Sequence, residues 1–340
     1  MKFKLASVAV GMRLAWACLL PEERMGTART LQLDGDHGLE IGQGDRFSAG
    51  TVAPRGVGTQ SVTLTSLLSV EEILSGFHGL QHEYDIQTFT TPYTTYEGAA
   101  IVGGQVGGAG TAATDVHVYL NAGIHARERG GPDGLLVRGG VASTSPASEV
   151  FHGTAPFSEP ETQAIKWVMD TFPRVRWFVD LHSYTGDVLY SWGSDENQSD
   201  DPRMNFLNRT YDGVRGILGD TPGAGSAYGE YVPADVNAAN VGAARRVGAA
   251  MSAAAQRPYA VVPASALYAT SGASDDYSFS RHFADPATNL IHGYTVEFGF
   301  GNDGASCPFY PTQEQHNANV AEIGAGFMEL LLAAVEYGLE

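Results

Sequence analysis

The chain of 340 residues contains 43% hydrophobic side chains and 42 glycines, which is enough apolar material for one large or two smaller folded domains. Its 38 acidic and 20 basic residues give a formal net charge of −18. A surface this acidic excludes nucleic acid as the expected partner, because nucleic acids are bound through a basic footprint. The same charge would attract cationic peptides at long range.

The N-terminal residues 1–17 are predicted to be a signal peptide. Two lysines precede an apolar stretch, and Ala15-Trp16-Ala17 matches the small-residue cleavage pattern. We therefore expect a secreted, extracellular protein with no membrane partner, since the apolar stretch is short and Arg13 interrupts it. The alternative is a disordered or wrongly assigned start. Of the two cysteines, Cys18 falls at the cleavage site and Cys307 is then alone, so no intramolecular disulfide is expected.

Residues 18–64 are polar and lack a periodic apolar pattern, which predicts a leader or loose linker, with a remnant propeptide as the alternative. A main domain is predicted over residues 65–340. It begins with a helix from Ser69 to Tyr84, followed by strands over 87–93 and 99–107.

The next predicted strand, Val116–Leu120, ends in a small-residue turn that leads to His125 and Glu128. An imidazole and a carboxylate three residues apart after a strand can bind one side of a metal ion. Zinc takes such nitrogen and oxygen ligands, and a catalytic zinc site has three protein ligands plus a water. The alternative is a surface His and Glu on a helix, because an HxxE pair often occurs by chance.

Two later strands present further candidates. A strand over 175–181 delivers His182 at its carboxyl end, and the strand Gly293–Phe298 contains Glu297. A carboxylate in an apolar strand is costly to bury unless a partner or a metal is near. The alternative is an exposed Glu297 on an edge strand, because the flanking Val296 and Phe298 do not indicate which face is buried.

The remaining predicted elements alternate between helix, strand and loop. A helix is predicted over 158–170, with Ser158 as N-cap and Glu161 completing a capping box. It is followed by a strand over 188–192, helices over 201–218 and 234–255, and a loop over 267–278 that carries Asp275 and Asp276. A closing helix is predicted over 313–337, with Thr312 as N-cap and with Phe327, Leu330, Leu331 and Leu332 facing inward. This alternation predicts a single α/β domain with a mixed, mostly parallel sheet flanked by helices.

Four stretches, taken together, resemble the zinc carboxypeptidases of the M14 metallopeptidase family. They are GIHARE at 123–128, DLHSY at 180–184, LYATSGASDDY at 267–277 and YTVEF at 294–298, in the order of the family. The resemblance runs from about Leu67 to the C-terminus, and it implies a carboxypeptidase A/B-like fold.

The resemblance also implies residue roles. One Zn²⁺ would be bound by His125, Glu128 and His182. Glu297 would be the general base, Tyr268 the mobile tyrosine that closes over the substrate, and Arg127 a residue that lines the substrate cleft. Ser183 and Tyr184, from the DLHSY stretch, would contact the substrate.

Asp275 occupies the position that, in the family, lies at the base of the pocket for the C-terminal side chain. A carboxylate there resembles the B-type enzymes, which prefer C-terminal Lys or Arg. A partly buried Asp also needs a cation, which such a substrate supplies. The alternative is that Asp275 caps a turn beside Asp276 and faces solvent.

The chain departs from the family after Glu128, and the domain is incomplete between about 129 and 140. His182 follows His125 by 57 residues, about half the separation usual in the family. The absent segment should contain the arginine that polarises the scissile carbonyl and the Asn-Arg pair that clamps the substrate carboxylate. The chain's single Asn-Arg pair, Asn208-Arg209, lies in a different context. We interpret the gap as a deletion or as a splicing error in the gene prediction.

The resemblance therefore implies a metallocarboxypeptidase that acts on peptide or protein C-termini, and we expect a monomer. Two alternatives stay open. One is a zinc-binding protein of the same fold that is catalytically impaired because it lacks the carboxylate clamp. The other is a zinc amidohydrolase of small N-acyl amino acids, against which the SGASDD stretch at 271–276 argues because it belongs to the peptidases.

Overall fold

The structure, a computed structural model, describes residues 39, 41–54, 66–84, 86–106, 116–124, 154–193, 198–211, 228–267, 270, 272–299, 309 and 311–339. Several predicted features lie outside these ranges: the signal peptide, both cysteines, Tyr268, and the segment with His125, Arg127 and Glu128.

The described residues form five α-helices and nine strands. The helices are α1 Val70–Tyr84, α2 Pro160–Thr171, α3 Ala234–Ala255, α4 Ser274–Ala284 and α5 Gln313–Tyr337. The strands are β1 Gln87–Thr94, β2 Ala100–Gln105, β3 Val118–Ala122, β4 Trp177–Ser183, β5 Asp187–Tyr190, β6 Gln198–Ser199, β7 Glu230–Tyr231, β8 Ala260–Pro263 and β9 His292–Phe298.

A five-stranded sheet in the order β3-β4-β9-β5-β8 forms the centre of the fold. Strands β3, β4 and β9 run parallel, β5 is antiparallel to β9, and β8 is parallel to β5. The predicted mixed, mostly parallel sheet is thus confirmed. Strands β1 and β2 form a separate antiparallel pair, and β6 and β7 form a short parallel one.

Alternate residues of the central strands face opposite layers of helices, because successive side chains of a strand point to opposite sides. Trp177, Val179 and Leu181 of β4 pack with Val247 of α3 and Leu330 of α5. On the other face, Phe178 packs with Ile165, Met169 and Phe172 of α2 and its C-cap. Both faces are therefore covered, which is typical of sheets dominated by parallel strands.

Two predicted elements are wrong in part. Residues 201–211, expected to be helical, form turns and one 3-10 turn at Arg209–Tyr211, while residues 212–218 lie outside the described part of the chain. The side chains of Asn205 and Asn208 accept hydrogen bonds from backbone amides two residues further along, which stabilises turns in competition with a helix. The predicted loop 267–278 contains the first turns of α4, which begins at Ser274.

The predicted N-cap of α2 is also wrong. Glu159 occupies the cap position, its side chain makes no capping hydrogen bond, and Pro160 is the first helical residue. Ser158 instead donates its hydroxyl to the Glu159 carboxylate and accepts the amide of Thr154. Pro160 has no N–H that would need an acceptor, which suits it to the first helical position.

Residues 41–54, expected within the leader or linker, contact α1. Arg46 Nε lies 2.6 Å from Glu72 Oε1, and the Phe47 side chain is buried. The loop approaches so closely that a Cβ at Gly79 would lie 2.5 Å from the Val52 carbonyl oxygen. The buried residues of α1 are small or polar: Glu72, Ser75, Gly76 and Gly79. The division of the chain into leader and domain stays a prediction.

The closing helix α5 begins as expected. Thr312 accepts the amide of Gln315, whose side chain accepts the amide of Thr312, which completes a capping box. Leu330 is buried, but Leu331 and Leu332 are half exposed, so the prediction that all three face inward is wrong for the last two. By length and composition α5 could cross a membrane, but its inner face packs on α3 and the sheet.

Leu330→Ala should lower the free energy of unfolding by about 2–5 kcal/mol, because it leaves a cavity in the core. Leu331→Ala, one residue along the same helix but 50% exposed, is the matched control and should change it by less than about 0.5 kcal/mol. Urea unfolding of both variants measures this difference. Equal losses would contradict the orientation of α5.

Candidate active site

A pocket of about 260 Å³ lies at the carboxyl ends of β3, β4 and β9. His182, Glu297 and Asp275, three of the residues predicted to form a site, line it together. Side chains exposed at the carboxyl edge of an open α/β sheet are the usual location of a binding site. The topology thus brings together residues more than a hundred positions apart in the chain.

His182 and Glu297 stand side by side because β4 and β9 are paired in register. His182 is the partner of Glu297, and two residues earlier Asp180 is the partner of Thr295. All four line the pocket, whereas Val296 and Phe298 point to the opposite face and belong to the core under α3 and α5. The alternative that Glu297 is an exposed residue on an edge strand is wrong, since β9 is a central strand.

Asp180 lies behind His182 and is 1% exposed. Its Oδ1 accepts Asn121 Nδ2 at 2.8 Å, its Oδ2 accepts Ser274 Oγ at 2.5 Å, and the same Oδ2 is 3.5 Å from His182 Nε2. Burial alone would raise the pKa of Asp180, but the charge and hydrogen bond of His182 and the hydroxyl and amide donors outweigh it and hold the pKa below its usual value. The carboxylate is therefore ionised near neutral pH.

Asp275 lies in the first turn of α4 and is 1% exposed. Its Oδ1 accepts the amide of Asp276, and its Oδ2 is buried without a hydrogen-bond partner. Burial and the nearby charge of Asp180 raise the pKa of Asp275. The alternative of a solvent-facing Asp275 is wrong. A buried carboxylate oxygen without a donor, at the wall of a pocket, favours a cationic ligand.

The start of α4 reaches the sheet because β9 carries a glycine at the crossing point. A Cβ at Gly293 would lie 2.1 Å from Ser278 Oγ and 2.4 Å from the Asp275 carbonyl oxygen, so a larger residue would displace the helix. On the far side, both carboxylate oxygens of Asp276 accept the Gly193 amide at 2.9 Å. These contacts fix the position of Asp275 relative to the sheet.

Burial and the neighbouring charge of Asp275 raise the pKa of Asp276 to about 8, although the Gly193 amide and Ser191 act in the opposite direction. The two adjacent carboxyl groups therefore do not both carry a full charge at neutral pH.

The donor chemistry at the pocket suits zinc. An imidazole backed by a buried carboxylate is the common arrangement of a metal-binding histidine. Ile124 lines the pocket and is the last residue of the described range 116–124. His125 is the next residue in the sequence. Within the described ranges no group of three His, Cys, Asp or Glu side chains is close enough to hold a metal, and two of the three expected ligands lie outside those ranges.

The structure does not place the other expected site residues, Tyr268, Ser183 and Tyr184, in the lining of the pocket. Leu267 and Thr270 line the pocket, and Tyr268 lies between them in sequence but outside the described residues. Ser183 and Tyr184 follow His182 but are not among the described residues that line the pocket; Tyr184 packs edge-on against Phe309 at 4.9 Å. Their contact with substrate stays a prediction.

Sequence reasoning missed Asp180, Asn121 and Ser274. One signal was present for Asp180, because it is a charged residue two positions before His182 in an apolar strand and therefore lies on the same face. Asn121 and Ser274 carried no such signal, since their roles depend on the positions of β3 and α4.

The described residues that line the pocket include no Arg or Lys. Arg127, the cation expected to line the cleft, lies outside the described part of the chain. The described wall of the pocket is thus acidic, with Asp180, Asp275 and Glu297.

Comparison with known proteins shows one family. The model of the zinc carboxypeptidases, peptidase family M14, matches residues 135–322, which is more than half of the chain. The match includes His182, Asp275 and Glu297 and begins after His125 and Glu128.

Two curated relatives match over short regions. Carboxypeptidase B of Helicoverpa zea is 34% identical over 58 residues, which are 17% of this chain and 14% of the relative. Carboxypeptidase A1 of Sus scrofa is 36% identical over 55 residues, which are 16% of this chain and 13% of the relative. The chain thus spans about one seventh of the length of these curated relatives.

Solved structures match over most of the chain. Bovine thrombin-activatable fibrinolysis inhibitor, in complex with tick carboxypeptidase inhibitor, superposes with a TM-score of 0.56 at 15% identity, over 80% of this chain and 98% of that chain. Carboxypeptidase A of Helicoverpa armigera superposes with a TM-score of 0.58 at 16% identity, over 85% of this chain and 78% of that chain. At such identities the likeness shows the fold, and the expected carboxypeptidase fold is confirmed.

Asp276→Asn should make the free energy of unfolding less dependent on pH. Below about pH 4 the carboxyl is protonated in both states, and between about pH 4 and pH 8 only the unfolded chain ionises it. The wild type should therefore lose at least about 1 kcal/mol from this group as the pH rises through that window, whereas neutral Asn should lose nothing. Urea unfolding at a series of pH values measures both slopes, and identical slopes would contradict the raised pKa.

Proposed function

We propose that this chain, which belongs to the M14 zinc carboxypeptidase family, is a zinc-dependent carboxypeptidase that hydrolyses the C-terminal peptide bond of peptides and proteins. The observation that carries the proposal is the register of β4 and β9, which sets His182 beside Glu297 at the carboxyl edge of the sheet. A metal-ligating imidazole beside a carboxylate in one pocket supports metal-assisted hydrolysis.

Zinc, when bound, would polarise the scissile carbonyl and acidify a water molecule. His182, together with His125 and Glu128, would hold it. Glu297 would take a proton from the water as its oxygen adds to the carbonyl carbon, and would then give that proton to the departing amine as the carbon–nitrogen bond breaks. The products are the shortened peptide and a free amino acid. Tyr268 would close over the substrate, and Arg127 would line the cleft.

We infer a preference for C-terminal Lys or Arg from Asp275. The Oδ2 of this buried carboxylate has no hydrogen-bond donor and lies at the pocket wall near His182 and Glu297. A guanidinium or ammonium group would supply the missing donor and the countercharge, whereas an apolar side chain would leave the carboxylate without either. Secretion and a monomeric state belong to the proposal and rest on the sequence.

A second candidate is a zinc-binding protein of this family with impaired turnover. One observation favours it: His182 follows His125 by only 57 residues, so the segment expected to carry the substrate clamp is short. A substrate carboxylate is usually clamped by a charge-assisted contact, and loss of that clamp removes binding energy that orients the scissile bond. The family match supports a peptidase over an amidohydrolase of N-acyl amino acids.

His182→Ala should remove zinc and activity together, because a three-ligand site has no spare member. Glu297→Gln should keep zinc but lower kcat/KM by about 10²–10⁴, since it removes only the general base. Zinc analysis and turnover of a peptide with a free C-terminus, with the amidated peptide as the control substrate, test both variants.

The outcomes separate the two candidates. The carboxypeptidase is supported if the wild type cleaves the peptide with a free C-terminus and the two variants do not. The impaired protein is favoured if His182→Ala loses zinc and the wild type shows no turnover. Full zinc occupancy in His182→Ala contradicts both.

Asp275→Leu should reverse the preference between C-terminal Arg and C-terminal Leu, because it replaces the countercharge by an apolar floor. The ratio of kcat/KM for the two peptides measures this; where turnover is slow, the ratio of Kd for arginine and leucine replaces it. Asp235→Leu, on the exposed first turn of α3, is the control for the change in net charge. An unchanged ratio in Asp275→Leu would exclude Asp275 as the specificity residue.

A further inference from the structure

Three separate segments that carry the site meet at the carboxylate of Asp180. Asn121 is in β3, directly before the stretch that leads to His125 and Glu128; His182 is in β4; and Ser274 opens α4, directly before Asp275. Each has a side-chain atom within 3.5 Å of an Asp180 oxygen.

The first residue of α4, Ser274, uses its side chain at the site and not for capping. Ala273 is the N-cap residue and offers no side-chain cap, while the Ser274 hydroxyl donates to Asp180. Ser274 is the first helical residue, so its hydroxyl is not needed as the cap and is free to donate to the buried carboxylate. This contact ties the start of α4 to Asp180.

We propose that Asp180 is the positioning residue for the metal ligand His182, and that Asn121 and Ser274 hold Asp180 in place for it. This inference rests on the proposed function, since it treats His182 as a zinc ligand. Asp180 Oδ2 faces Nε2 of the imidazole, so Nε2 carries the proton and Nδ1 is the nitrogen that binds the metal. A carboxylate behind a metal-bound imidazole fixes the tautomer and orientation of the ring and increases its basicity.

The pairing of the strands explains why Asp180 can act in this way. Asp180 and His182 are two residues apart in β4, so both side chains leave the same face of the strand. Asn121 of β3 is the register partner of Asp180, which brings its amide directly beside the carboxylate. Because Asp180 is 1% exposed, water does not compete for these contacts, and the arrangement stays rigid.

Asp180→Asn tests the proposal, because it keeps the shape of the side chain and removes its charge. Zinc affinity, measured by competition with a chelator, should fall about 10–100-fold. The visible spectrum of the Co²⁺-substituted protein should also change, which a role in folding alone would not cause. Asp180→Glu, which restores the charge, should recover part of the affinity.

Glu72→Gln is the matched control, because Glu72 is also a buried carboxylate with a charged partner, Arg46, but lies in α1 away from the pocket. It should lower stability and leave zinc affinity unchanged. If Asp180→Asn fails to fold, the double variant Asn121→Ala, Ser274→Ala keeps the carboxylate but removes two of its partners, and it should lower zinc affinity at least about threefold.

Wild-type zinc affinity and an unchanged Co²⁺ spectrum in folded Asp180→Asn, or in the double variant, would overturn the positioning role while leaving the proposed function intact. Equal zinc affinity in the wild type and in His182→Ala would overturn the proposed function, and the positioning role with it.

Discussion

The parallel, in-register pairing of β4 with β9 is the constraint on which the rest of the structure depends. Both strands are buried on both faces, and successive side chains of each strand point to opposite faces. The two faces serve different functions. One set of side chains, with Trp177 and Tyr294, builds the core under α3 and α5. The other set ends in His182 and Glu297 at the pocket. A shift of one residue would exchange core and site, so the same packing that stabilises the sheet fixes the register of the site.

The site concentrates negative charge in a protein that is already acidic. Asp180, Asp275 and Glu297 line the pocket, and Asp276 lies directly behind Asp275. Buried carboxylates are tolerated only where protons, hydrogen-bond donors or cations compensate them. Asp180 has two donors and an imidazole, and Asp276 is protonated in part, as its raised pKa indicates. The remaining charge is compensated if the pocket holds a divalent metal and a cationic substrate side chain.

The chain has the fold of the zinc carboxypeptidases, and we expect its segment after Glu128 to be shorter than is usual in that family. The pocket residues His182, Asp275 and Glu297 all lie after that segment, in the part that the family match covers. The expected metal ligands lie on both sides of that segment, since His125 and Glu128 precede it and His182 follows it, whereas the residues expected to clamp the substrate carboxylate belong to the segment itself. A shortened segment would therefore remove the expected clamp while leaving all three expected metal ligands in the chain.

The sequence by itself determined the elements with strong local signals. The helix Gln313–Tyr337 and its Thr312 cap, the helix Ala234–Ala255 and the strands that carry His182 and Glu297 were predictable, because apolar periodicity and capping act over a few residues. It did not determine which face of α5 is buried or where Glu297 points: Leu330, Leu331 and Leu332 are equally apolar, and Val296 and Phe298 flank Glu297 on both sides. Only the tertiary structure decided these, because burial depends on which layer packs against each face. The meeting of Asn121, Asp180 and Ser274 was likewise decided by packing, since it joins residues from three elements that no local pattern relates.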